Sequence, residues 1–156
     1  MLFPLFAAAL LAVATWIPAA HAVNLTGSWL GQQSCTRFDG SSSSFKLKPS
    51  VMLITQTGHS MVVRVDGVNG YNGFVIDDAK KPDAKGQVSV ILCTTDNMPG
   101  SPDGGQILIA KVKANPAKGT ASLSGSSGFE SSANVGICKW SYKRTDTADP
   151  AALVCP

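Results

Sequence analysis

Histidine is nearly missing from this chain: its 156 residues contain two, His21 and His59. That scarcity closes most routes to general-base catalysis and to zinc, since both lean on imidazole. Charge is sparse too, at 15% of residues, with a net charge of +3. So small an excess, scattered along the chain with no dense basic run, argues against nucleic acid or an acidic membrane as partner. The cysteines, four in number, include no C-x-x-C pair, which removes a common zinc and redox spacing. Helical periodicity is absent from any long segment past residue 23.

One long apolar run is present, and it stands at the start. "LFAAALLAVA" is followed by "AHA" (Ala20, His21, Ala22), the small-x-small pattern of a leader cleavage site. The segment before the run carries no Lys or Arg, so its positive end is the α-amino group alone. Pro4 and Pro18 interrupt the run, which is shorter than the about 20 residues a membrane span needs. No cysteine lies near the cleavage point to take a lipid. Residues 1–22 therefore read as a signal peptide, and 23–156 as one domain with a C-terminal tail at 145–156. Removing 22 of the 156 residues leaves 134, enough chain for a real core. The expected location is periplasmic or extracellular, with no membrane span after cleavage. Cys35, Cys93, Cys138 and Cys155 all fall in the mature part, and an even count in an exported chain implies two disulfides.

The rest of the chain is short runs rich in Val, Ile, Thr and Phe, broken by Gly, Asn, Asp and Pro. They are "LTGSWLGQQSCTRF", "FKLKPSVMLITQT", "SMVVRVD", "YNGFVID", "QVSVILCTT", "QILIAKVKA", "TASLSGSSGF" and "GICKWSYKR". The connections are too short for parallel crossovers, so the sheet is expected to be antiparallel. A meander of eight strands hides its edges best by closing on itself. The predicted fold is all-β: an eight-stranded antiparallel up-and-down β-barrel, stapled by disulfides, with a β-sandwich as the alternative.

Against that frame, "LTGSW" resembles the G-x-W opening of lipocalin-like and avidin-like barrels, here Gly27, Ser28 and Trp29. The resemblance implies that Trp29 closes the barrel floor and that a basic residue of the last strand, Arg144 of "YKR", covers it. Setting Trp29 opposite Arg144 places Cys35 opposite Cys138, leaving Cys93 to pair with Cys155. The competing connectivity is Cys35–Cys93 with Cys138–Cys155. The likeness covers barely a dozen residues and departs from both families. Avidin-like barrels hold biotin with Asn and Ser two and six positions past this Trp, where this chain has Gly31 and Cys35. The second lipocalin signature ends in T-D-Y, and "TTDN" supplies Thr95 and Asp96 without the Tyr. Some periplasmic protease inhibitors open a small barrel with a similar L-x-G-x-W. The "YNG" and "CKWSYKR" elements are also similar to exported bacterial proteins to which no function is attached.

No catalytic constellation is legible. His59 lies in the turn "TGHS", and none of its sequence neighbours orients it. Asp77 and Asp78 are adjacent, so on a strand they point to opposite faces. Asp96, Asn97 and Asp103 offer oxygens to calcium but lack the EF-hand spacing. The candidate ligand-binding residues are Trp29, Gln33, Phe74, Trp140 and Tyr142, with Arg144 structural; for the aromatics, plain core packing is the competing reading. Neither a metal nor a cofactor is expected. The expected function is an exported non-catalytic binding protein for a small, mostly apolar molecule. The alternative is an inhibitor presenting "DGSSSS" or "DNMPGSPDGG" to an exported protease or lysozyme.

Overall fold

A computed structural model describes residues 23–38, 44–46, 49–67, 69–93, 106–131, 134–151 and 153. Nine antiparallel strands follow one another: β1 (Gly27–Arg37), β2 (Ser44–Lys46), β3 (Ser50–Thr57), β4 (Ser60–Val65), β5 (Asn69–Asp77), β6 (Lys85–Leu92), β7 (Gln106–Asn115), β8 (Thr120–Ser131) and β9 (Asn134–Asp146). Each of β3 to β9 pairs with its sequence neighbour, and β9 returns to pair with β1. The result is a closed eight-stranded up-and-down barrel with one extra strand. The expected barrel is present, and the sandwich alternative is not.

The extra strand is a correction. The run "FKLKPSVMLITQT" was expected as a single strand but divides into β2 and β3 on either side of Pro49. Proline has no N–H to give to a ladder. β3 therefore pairs with the lower half of β1, from Gly27↔Ile54 to Gly31↔Ser50, while β2 takes the upper half around Cys35↔Phe45. The tail also begins later than expected, because β9 continues through Asp146.

The seam between β1 and β9 runs from Ser28↔Asp146 to Arg37↔Gly136 and contains both Trp29↔Arg144 and Cys35↔Cys138. A disulfide joins Cys35 to Cys138 across it, closing a loop with a sequence separation of 103. The register slips between Ser28 and Trp29, a bulge at the lower end of the seam. Gly27 makes that bulge possible. Its φ is +133°, and a Cβ there would lie 2.0 Å from the Asp146 carbonyl oxygen, so no other residue fits. Cys93 is disulfide-bonded as well. Its expected partner, Cys155, lies outside the described residues.

Alternation sends every second side chain inward. Met52 and Ile54, Met61, Val63 and Val65, Val88 and Val90, and Leu108, Ala110 and Val112 form one buried core with Trp29, Trp140 and Tyr142. Burial of this kind drives the fold at about 25 cal/mol per Å² of apolar surface. Trp29→Ala should lower unfolding free energy by about 3–5 kcal/mol, read by denaturant titration. Breaking the seam disulfide with Cys35→Ala and Cys138→Ala should cost about 2–5 kcal/mol in the same assay.

Candidate functional site

The two ends of the barrel are finished differently. The lower end is sealed. Residues 23–26 cross it, with Val23, Leu25 and Trp29 all fully buried. Trp29 Nε1 donates to the Leu25 carbonyl at 3.0 Å, fixing the ring over the floor. The Arg144 guanidinium carbon stands 5.9 Å from the centre of the Trp29 ring. Its Nη1 donates to the Asn24 carbonyl at 2.7 Å and its Nε to the Gly119 carbonyl at 3.0 Å. Burial draws the Arg144 pKa down from its ordinary value, and these carbonyls offset that cost. Arg144 thus ties three chain segments together through the floor.

Among the described residues the upper end opens. A pocket of about 280 Å³ lies there, lined by Gln33, Phe45, Ser50, Tyr71, Gln106 and Phe129 together with the Cys35–Cys138 bridge. Below it the barrel is filled. The Trp140 ring meets Tyr71 edge-on at 5.8 Å and Tyr142 at 5.7 Å between centres. Gly31 gives the Tyr142 ring its place, since a Cβ there would come within 2.5 Å of Tyr142 Cγ. The position that avidin-like barrels use for an asparagine is therefore covered here by an aromatic ring.

Two hydrogen-bonded groups form the base of the pocket. In one, Tyr71 Oη donates to Gln106 Oε1 at 2.6 Å and Gln106 Nε2 donates to Ser127 Oγ at 2.7 Å. Trp140 Nε1 also donates to Ser127 Oγ, at 2.8 Å. In the other, Ser50 Oγ bonds Tyr142 Oη, and Gln33 Nε2 reaches that same oxygen at a long 3.4 Å. The carbonyl of the Gln33 amide has no hydrogen bond among the described residues. Gln33 is only 7% exposed and stands at the edge of the pocket, with its amide oxygen unbonded among the described residues. A wider depression of about 530 Å³ lies on the outer wall, among Lys85, Lys111 and Lys113. Asp77 and Asp78 line it as well.

The sequence-predicted ligand residues divide. Gln33, Trp140 and Tyr142 point inward at or just below the pocket, whereas Trp29 lies at the opposite end, under the core. Phe74 does not belong to the interior. It is 48% exposed, because Tyr71, Gly73 and Val75 take the inward positions of β5. Phe74 stands on the outer wall beside Ser89 and, one strand on, Ile109. Reading of the sequence missed Ser50, Tyr71, Gln106 and Ser127. Counting by twos from Val75 finds Tyr71, and from Leu108 finds Gln106; the serines carry no such signal. The loops "DGSSSS" and "DNMPGSPDGG" fall mostly or wholly outside the described residues, and with them Thr95, Asp96, Asn97 and Asp103.

His59 has a partner that local sequence does not reveal. Its Nε2 lies 3.1 Å from Asp77 Oδ2, brought from β5 to the β3–β4 turn. No hydroxyl or thiol is bonded to the ring among the described residues. Among the described residues no group of three metal-ligating side chains converges. Asp78, by contrast, caps its own turn by accepting from the Lys80 N–H at 2.8 Å.

Burial, with Tyr142 close by, pushes the Tyr71 phenol well above its ordinary pKa of 10.0. Tyr71 therefore stays a neutral donor. Above about pH 10 the unfolded chain loses a proton that the folded chain keeps, so stability should fall as pH rises there. In an alkaline absorbance titration, Tyr71 should ionise only with unfolding. Tyr71→Phe should abolish that late step. No protein-family model matches the chain, and no curated protein or solved structure matches it either.

Proposed function

We propose that the chain is an exported, non-catalytic binding protein that takes a small molecule into the upper mouth of its barrel. The observation that carries this reading is the pocket above Trp140, where the Gln33 amide carbonyl has no hydrogen bond among the described residues. Binding sites of this kind join an apolar lining to a few placed polar groups. Here Phe45, Phe129 and Val65 supply the lining, and Gln33, Ser50, Tyr71 and Gln106 the polar groups. At about 280 Å³ the pocket sits at the lower edge of the about 300–1,000 Å³ typical of ligand sites. It therefore favours a compact ligand, with an apolar body and a neutral head that donates a hydrogen bond to Gln33. No charged side chain stands among these polar groups, although Asp66 lies at the rim. Export is supported by the leader pattern and by the disulfide, which persists in an oxidising compartment.

One observation favours the second reading, an inhibitor of an exported hydrolase. The barrel below the mouth is packed with side chains rather than hollow. On that reading the rim, not the interior, meets the partner.

Native mass spectrometry of protein purified from its own host separates the two. A retained small molecule, lost or held about tenfold more weakly in Gln33→Ala, is the expected result. An empty barrel recovered in complex with a hydrolase would replace the first reading by the second.

A further inference from the structure

In the floor a carboxylate meets the backbone nitrogen of Val23. Val23 is fully buried, yet its backbone makes no strand ladder. Its nitrogen donates to Asp77 Oδ1 at 2.9 Å. Its carbonyl accepts from Gln56 Nε2 at 3.1 Å, and the Oε1 of the same Gln56 accepts from the Leu25 N–H at 2.9 Å. Two side chains from different strands thus hold both polar groups of one residue. The other oxygen of Asp77 is held by His59 Nε2 at 3.1 Å, so the carboxylate is aimed from behind. The Asp77 side chain is 12% exposed. The Val23 side chain is locked in by Gly86, where an added Cβ would meet Val23 Cγ1 at 3.2 Å.

Val23 is also the residue that follows "AHA". We propose that Val23 is the N-terminal residue of the mature protein and that its α-ammonium is bound by Asp77 in the barrel floor. Hydrolysis of the Ala22–Val23 amide by a leader peptidase adds water across that bond. Ala22 leaves with the carboxylate. Val23 keeps the amine, which is largely protonated at neutral pH, since free α-amino groups titrate at about 7.7–8.0. Before the cut, the nitrogen is an amide with one proton and no charge. Afterwards the same nitrogen, in the same place, carries a full charge against a carboxylate already oriented for it. A hydrogen bond charged only at its acceptor becomes an ion pair charged on both partners. Removing the leader therefore completes the floor as well as releasing the chain. The inference rests on the export reading and is independent of any ligand in the mouth.

The test begins with intact mass of the protein recovered from the exported fraction, which is expected to begin at Val23. A different first residue overturns the assignment. The mature chain is then compared at pH 7 with the same chain retaining Ala22, each with and without Asp77→Asn. The chain beginning at Val23 should melt about 3–6 °C higher than the extended one. Asp77→Asn should erase the difference. Equal melting of the two parent chains, or a difference that survives Asp77→Asn, overturns the ion pair even where the mass is as expected. Acylation provides a readout that needs no variant. Acetic anhydride at pH 7 should modify surface lysines of the native mature protein while sparing the Val23 amine until the chain unfolds. Native acylation of Val23 at the lysine rate would also overturn the pairing.

Discussion

The pairing of β1 with β9 is the constraint on which the rest of this structure depends. Without it the sheet would end in two long unpaired edges, and the inward faces of the strands would have nothing to close around. The seam is fastened at both ends by different chemistry. At the lower end Arg144 lies over Trp29 and reaches carbonyls of two other segments. At the upper end a covalent bond joins Cys35 to Cys138. Between them, nearly the whole length of β1 is hydrogen-bonded to β9.

The same seam makes the ends unequal. Trp29, Leu25 and Val23 seal the floor with apolar bulk, and the backbone polar groups that crossing the floor would bury are met by Gln56, Asp77 and Arg144. At the mouth, β1 exchanges β3 for the short β2, because Pro49 interrupts the strand between them. The wall there is irregular, and beside Phe45, Val65 and Phe129 its inward residues include the polar Gln33, Ser50, Gln106 and Ser127. A polar residue inside a barrel costs free energy unless it is hydrogen-bonded. Tyr71, Trp140 and Tyr142 meet that requirement for most of these groups while filling the space beneath them.

Asp77 illustrates how one carboxylate can serve several elements. From the end of β5 it holds a residue of the N-terminal crossing with one oxygen and the histidine of the β3–β4 turn with the other. Its neighbour Asp78 caps the turn that follows. Two adjacent residues of the same type have unrelated tasks because β5 ends at Asp77 and Asp78 already belongs to the turn that follows.

Much of this was settled by local pattern. Period-two alternation, short connections and the lack of helical periodicity point to an antiparallel all-β fold and favour a barrel over a sandwich, because only closure removes the edges. With Trp29 set opposite Arg144, alternation also carries Cys35 to Cys138 and turns Gln33, Trp140 and Tyr142 inward. What alternation could not decide is height. Trp29 and Trp140 share the interior, yet one is buried in the floor and the other lies beneath a pocket, and only the stagger of strands around the closed barrel assigns those levels. Phe74 was misplaced for a related reason. Its strand has apolar residues on both faces, Tyr71 and Val75 on one and Phe74 and Ile76 on the other, so composition does not distinguish them, and it was Gly73 fitting close against β6 that turned Phe74 outward. The contacts of Val23 and His59 with Asp77 join positions 54 and 18 residues apart. Neither can be read along the chain, because the residues meet only when the barrel closes and brings one end of several strands to a single floor.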